Sequence, residues 1–122
     1  MKIWLFIAGL NGALAVLMGA FAAHALGQEH PFASAFSTAA HYHLVHAAAM
    51  GIAALAARGA AASRAQLAAM LFLAGILLFS GSLYMLTLTS LRAFAYITPI
   101  GGLAFVAGWL VLALAALKLE TS

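Results

Sequence analysis

The sequence predicts an all-α integral membrane protein, a bundle of four helices that run up, down, up and down across the bilayer. Hydrophobic residues make up 67% of the chain and charged residues only 6%, whereas globular domains carry about 25% charged residues. The apolar residues form four long segments with short connections, and short connections make neighbouring helices antiparallel. A soluble domain of this length cannot bury so much apolar surface. We therefore expect residues 1–122 to form a single transmembrane domain.

The first two predicted spans cover approximately residues 3–26 and 34–57. Each is longer than the roughly 20 residues that cross a hydrocarbon core of about 30 Å. The connection between them contains Gly27 and Pro31, which are typical of turns and interrupt helices. The second span starts with a weakly amphipathic stretch at Ser34, and we expect its first two turns to lie among the lipid headgroups.

The last two predicted spans cover approximately residues 66–89 and 98–118. Thr98 and Pro99 predict the start of the fourth helix, because a hydroxyl cap followed by proline is typical of helix N-termini. Trp109 lies near the middle of this span, away from the interfacial positions that tryptophan prefers in membrane proteins.

The basic residues predict the orientation of the protein in the membrane. With four spans, one side of the membrane holds Lys2, Arg58, Arg64 and Lys118, and the other holds Arg92. Basic residues are enriched in cytoplasmic connections, so both termini are predicted to be cytoplasmic. The formal net charge of +3 comes from these scattered residues and not from a basic patch. Nucleic acid is therefore not an expected partner.

Small residues recur at four-residue spacing along several spans. This spacing lets helix backbones approach closely and is typical of helix packing in membranes. The predicted helix-packing positions are Gly12, Ala15, Gly19, Ala23, Gly75, Gly81, Gly101, Gly102 and Gly108. Besides the lipid bilayer, we expect a protein partner for the face that carries Ala15, Gly19 and Ala23. That partner is a second copy of the chain or a subunit of a larger membrane complex.

The stretch from His41 to His46 carries three of the five histidines. His43 and His46 are three residues apart and share a helical face, and His24 could reach them if the first two helices pack at their outer ends. The predicted polar cluster, placed in the outer leaflet, consists of Asn11, His24, Tyr42, His43 and His46. Neutral imidazoles bind metals or haem iron, or they hydrogen-bond to protein groups. We favour hydrogen bonding and expect neither a metal nor a cofactor.

The sequence offers no constellation for catalysis, so we predict no catalytic residue and no enzyme. It contains no Cys and no Asp, and its carboxylates are Glu29 and Glu120. Neither a thiolate nucleophile nor a Ser-His-Asp triad is possible. Three functions remain: a structural or accessory component, a small transporter or channel, and a metal or haem carrier that uses the histidines. Transport usually needs ionisable residues within the spans, and the deep halves of the last three helices lack them, which favours the accessory function.

Four stretches resemble a known family: GAFAAHAL from Gly19, YHLVHA from Tyr42, GILLFSGSLY from Gly75 and ITPIGGLAFVAGW from Ile97. Together they look like the small bacterial inner-membrane family typified by YgdD and YwdK, which has mitochondrial relatives in eukaryotes. His24 and His46 match the family pattern, whereas the family often has Gln in place of His43 and usually has Gly in place of Ala22. The resemblance implies four spans and a location in the bacterial inner membrane. It implies no activity, because the function of the family is unknown.

Overall fold

The computed structural model describes residues 2–119, and its regular secondary structure is entirely helical. Five α-helices and two π-helical turns make up four long helical segments, because one π-helical turn joins two of the α-helices into a continuous helix. The elements are α1 (Lys2–Phe21), a first π-helical turn (Ala22–Leu26), α2 (Ala33–Ala56), α3 (Ala62–Gly75), a second π-helical turn (Ile76–Ser80), α4 (Gly81–Thr89) and α5 (Thr98–Ala116). Short 3₁₀ turns, Gly59–Ala61 and Arg92–Tyr96, lie in the last two connections.

The start of α5 differs from the sequence expectation in one respect. The helix begins at Thr98 with proline in its first turn, but Thr98 makes no side-chain cap. Its hydroxyl lies 2.6 Å from the hydroxyl of Ser82 on α4 instead. The expected hydroxyl cap is wrong because the side chain joins two helices, and Ile97 occupies the N-cap position.

The helix α1 packs mainly on α2 and runs antiparallel to it. The rings of Phe21 and Phe36 are 5.4 Å apart near one end of the pair. Near the other end, Gly51 of α2 lies beside Leu5 and Ala8 of α1. The end of α1 therefore packs on the start of α2, and the start of α1 packs on the end of α2.

The helix α5 packs along α3 and the second π-helical turn, also in the antiparallel direction. Three glycines make this approach close. A Cβ atom at Gly75 would overlap the Phe105 ring, one at Gly108 would overlap the Phe72 ring, and one at Gly101 would collide with the backbone at Phe79. The closest of these contacts, at Gly101, is with the backbone of the second π-helical turn itself.

The other predicted packing residues have different surroundings. A Cβ atom at Gly81 or Gly102 would make ordinary van der Waals contact, and one at Gly12 or Gly19 would meet no atom within 4 Å. Ala15 is buried against the rest of the chain, whereas Ala23 is exposed. The small residues of α1 thus lie partly inside the protein and partly on its outer surface.

Three of the four segments within residues 2–119 are long and apolar enough to cross a membrane. They are Lys2–Leu26, Gly59–Thr89 and Arg92–Ala116. The remaining segment, α2, is less apolar because it carries three histidines. It is nevertheless the helix with the most buried residues, and Phe36, His43 and Met50 are almost completely inaccessible.

Candidate functional site

A polar bridge joins three helices through His43 of α2. The ring nitrogen Nε2 of His43 lies 2.9 Å from Oδ1 of Asn11 on α1. Its other nitrogen, Nδ1, lies 2.9 Å from the hydroxyl of Tyr84 on α4. His43 is only 1% exposed; its bond to Tyr84 is buried, and its bond to Asn11 is partly buried.

The surrounding groups determine the tautomer of His43. The amide nitrogen of Asn11 donates to the carbonyl of Ile7 over 3.0 Å, which turns the amide oxygen towards His43. Since that oxygen can only accept, Nε2 of His43 carries the hydrogen and donates. In the neutral ring Nδ1 then accepts from the hydroxyl of Tyr84. Every polar atom of this bridge therefore has a partner in the chain.

A second network surrounds His46 and ties α2 to α5. Its Nδ1 lies 2.7 Å from the carbonyl oxygen of Tyr42, and its Nε2 lies 3.0 Å from Nε1 of Trp109. The His46 ring stacks on Phe105 with 3.6 Å between the centroids and tilts against Phe72 at 5.7 Å. This contact places an imidazole inside an aromatic cluster between three helices.

His46 has the opposite tautomer to His43. A carbonyl oxygen only accepts and an indole N–H only donates. Nδ1 of His46 must therefore carry the hydrogen that it donates to Tyr42, and Nε2 must accept from Trp109. A second proton on His46 would remove the bond to Trp109, so this network holds the ring in its neutral form.

The structure does not bring His24 into the predicted cluster. Asn11 is level with His43, and Phe21 is level with Phe36; in this register His24 lies opposite the first residues of α2, and its side chain is exposed. The cluster also lies deeper along α2 than expected. Because α2 begins at Ala33, His46 is about 20 Å from its start at a rise of 1.5 Å per residue.

His43 and His46 also do not face a common site. His43 contacts α1 and α4, whereas His46 contacts α3 and α5. Residues three apart on a helix are separated by about 60°, and in a packed interior this is enough to give them different neighbours. Within residues 2–119, no group of three His, Cys, Asp or Glu side chains is placed to hold a metal ion.

Sequence reasoning missed two members of these networks, Tyr84 and Trp109. The position of Trp109 in the middle of a span was a usable signal, because a buried indole N–H needs an acceptor. Asn11, a member of the predicted cluster, joins α1 to α2 through its bond to His43. Hydrogen bonds also occupy the hydroxyl groups of other helices: Ser80 donates to the carbonyl of Ala39 over 2.8 Å, and Thr87 donates to that of Leu83 over 2.9 Å.

An aromatic groove with a volume of about 580 Å³ opens between α2 and α5. Its walls include Tyr42, His46, Phe79, Phe105 and Trp109. The Tyr42 ring is 4.9 Å from Phe79 and 41% exposed. The polar atoms of His46 and Trp109 in this wall are bonded to each other, so the groove presents mainly ring faces and edges.

Comparison with known proteins gives a consistent result. Residues 18–102 match the model of the family described as "Protein of unknown function (DUF423)". The membrane protein YwdK of Bacillus subtilis is 38% identical over 121 residues, which cover 97% of this chain and 98% of YwdK. The inner membrane protein YgdD of Escherichia coli is 32% identical over 121 residues, 98% of this chain and 92% of YgdD. No solved structure matches the chain.

Proposed function

We propose that this chain, which belongs to the DUF423 family of proteins of unknown function, is a four-span inner-membrane protein that acts by binding other membrane components and not by catalysis. One observation carries the proposal. Both ring nitrogens of His43 and both of His46 are hydrogen-bonded within the chain. Imidazoles engaged in this way hold helices together and offer no lone pair to a metal, a substrate or a transported ion.

In the proposed topology, α2 crosses the membrane although it is the least apolar of the four segments. This helix lies antiparallel along α1, from the contact of Phe36 with Phe21 to that of Gly51 with Leu5. A bilayer that contains α1 therefore also contains most of α2. The polarity of α2 is no obstacle, since polar residues are tolerated at membrane depth when they face the protein interior and pair there.

The proposed orientation has both termini in the cytoplasm. Contacts between Arg64 and Leu114 and between Leu5 and Gly51 put the start of α1, the start of α3 and the end of α5 at one end of the molecule. This end carries most of the basic residues, which favours the cytoplasmic side. Cysteines placed at Gln28 and Ser63, both exposed, test the orientation in cells. A membrane-impermeant maleimide should label the first position and not the second.

The surface most suited to a protein partner is the flank of α1 that carries Gly9 and Gly12 and lines an open groove beside α2. Gly9, Gly12 and Gly19 meet no atom within 4 Å of an added Cβ, and the neighbouring Val16 and Leu17 are 58% and 66% exposed. Small residues beside aliphatic ones allow a second helix to approach closely in a membrane. We therefore propose that an accessory or assembly role is performed through this face.

Photo-crosslinking in native membranes tests the accessory role. A photo-reactive residue at Gly12 should give a discrete adduct, whose mass spectrum identifies a second copy or another membrane protein. The matched control is Leu103, which is 70% exposed on α5 and should give only diffuse lipid adducts. Equal adducts at the two positions, or none at Gly12, would contradict the proposed binding face.

A further inference from the structure

A second groove lies at the basic end of the molecule, on the first turns of α3. It has a volume of about 370 Å³ and is lined by Ser63, Arg64, Gln66, Leu67 and Met70. Three of these side chains carry hydrogen-bonding groups and two are apolar. The groove thus changes from polar to apolar along the helix axis, in the direction that leads from the end of the molecule towards its middle.

The guanidinium of Arg64 bonds to the neighbouring helix at the polar end of this groove. Its Nη1 donates to the carbonyl oxygen of Leu114 on α5 over 2.8 Å. Beneath it, Ala65 and Ala115 are completely buried and belong to one hydrophobic cluster, which keeps the two helices together. An arginine has five N–H donors, so the bond to Leu114 leaves other donors to bind an anion.

The apolar end of the groove continues as a lipid-facing strip of α3 and the second π-helical turn. Leu67 and Met70 are 47% and 48% exposed, and Leu77 is 63% exposed. From Leu67 to Leu77 the strip extends about 15 Å at the helical rise, which is half of a hydrocarbon core of about 30 Å. The strip therefore has the length of a single leaflet.

We propose that this groove binds an anionic phospholipid, with the phosphate on Arg64 and one acyl chain along the strip from Leu67 to Leu77. Ser63 and Gln66 supply further donors to the headgroup. A free phosphate would leave the apolar strip unused, which is why a lipid is the better ligand. The inference rests on the proposed placement of the helices in the membrane.

Charge complementarity selects an anionic lipid over a zwitterionic one. This end of the molecule carries Lys2, Arg58, Arg64 and Lys118 and, within residues 2–119, no acidic residue. Basic pockets beside transmembrane helices on the cytoplasmic side are suited to anionic headgroups. Arginine is also the side chain best matched to phosphate, because its planar fork donates two parallel hydrogen bonds.

The test measures lipid retention by the purified full-length protein. The chain is extracted from nanodiscs of equimolar dioleoylphosphatidylglycerol and dioleoylphosphatidylcholine, and the bound lipids are counted by native mass spectrometry. The wild type should retain phosphatidylglycerol preferentially, and Arg64→Gln should reduce that retention about five- to tenfold, as expected when a charge-assisted contact is lost. Arg92→Gln, at the opposite end, is the matched control and should retain lipid as the wild type does.

Two further variants separate binding from folding. Ser63→Trp fills the groove but leaves the bond from Arg64 to Leu114 intact, so it should also lower retention while the thermal stability is unchanged. Arg64→Lys keeps the charge but not the fork, and an intermediate retention is expected. Equal retention of the two lipids by the wild type, an equal loss in Arg92→Gln, or competition by millimolar inorganic phosphate alone would overturn the proposal. A wrong span assignment would appear separately, in the maleimide labelling of Gln28 and Ser63.

Discussion

The contacts of α5 with α3 and those of α1 with α2 use the same residue types to different effect. On α5, Gly101 and Gly108 face the opposite helix, and aromatic rings or backbone atoms occupy the space that a side chain would need. On α1, Gly12 and Gly19 have no neighbour within 4 Å of an added Cβ. The first contact is closed within the chain, whereas the second leaves half-buried glycines at its edge, where Gly12 lines an open groove beside α2.

The difference shows what small-residue spacing means in a membrane sequence. The spacing indicates that a close approach of helices is possible, but it does not indicate whether the approaching helix belongs to the same chain. That information lies in the complementary residues: Phe72 and Phe105 fill the positions next to the glycines between α3 and α5. The flank of α1 that carries Gly12 and Gly19 has no such complement within residues 2–119, so these glycines are the ones to test for a partner.

The largest expected effect comes from adding one methyl group to the closed contact. Gly101→Ala should lower the free energy of unfolding by about 3 kcal/mol, because the new Cβ collides with main-chain atoms of Leu78 and Phe79 and overpacking at backbone cannot relax by a rotamer change. Unfolding in mixed micelles of mild and denaturing detergent measures the change. Gly102→Ala is the matched control, since its Cβ would be 3.9 Å from the ring of Phe79. A similar loss in both variants would mean that the contact is not closed at Gly101.

The next largest effect is expected at His46, which packs between α3 and α5. His46→Ala should cost about 2 kcal/mol of unfolding free energy, because it removes the stacking on Phe105 and leaves the indole N–H of Trp109 without an acceptor. Trp109→Phe keeps a ring in place and should cost about 1 kcal/mol. The exposed His24 serves as the control, and His24→Ala should change stability by no more than about 0.5 kcal/mol. A larger loss for His24→Ala than for His46→Ala would reverse our placement of the two side chains.

A smaller effect on stability is expected at Asn11, which bonds α1 to α2. Asn11→Ala should cost about 1 kcal/mol, the usual range for an interhelical hydrogen bond in a membrane, because only the bond to His43 and the local bond to Ile7 are lost. The same detergent unfolding assay applies. A loss as large as that of Gly101→Ala would show that α1 is held as firmly as α5, and the contrast between the two contacts would disappear.

The smallest effect on stability is expected at Gly19, where the surface is open. Gly19→Leu should leave the free energy of unfolding within about 0.5 kcal/mol of the wild type, since a Cβ added there has no neighbouring atom within 4 Å. The same variant should reduce the yield of the adduct formed from a photo-reactive residue at Gly12. Unchanged crosslinking would exclude this face as a contact with a partner.

The sequence predicted the helical class, the approximate helix bounds and the polar residues of α2 that become buried. It could not predict the partners of these residues, because the choice of Tyr84 for His43 and of Trp109 for His46 depends on which helices are neighbours and on their rotation about their axes. A residue spacing of three fixes a common face on one helix only. It does not reveal that α1 and α4 meet that face at His43 while α3 and α5 meet it at His46. The second π-helical turn also left no sequence signal; it lies where the backbone of Leu78 and Phe79 comes closest to Gly101 of α5.

The two buried histidines, His43 and His46, are neutral, carry their hydrogen on different ring nitrogens and join neighbouring helices by hydrogen bonds. Nitrogen-15 NMR of the imidazole rings in the full-length protein, with His43→Gln and His46→Gln to assign the signals, tests this claim directly. We predict a proton on Nε2 of His43 and on Nδ1 of His46, because the fixed acceptors Asn11 and Tyr42 require them. Identical tautomers, averaging between the two tautomers, a doubly protonated ring or the shifts of a metal-bound nitrogen at either position would contradict the claim.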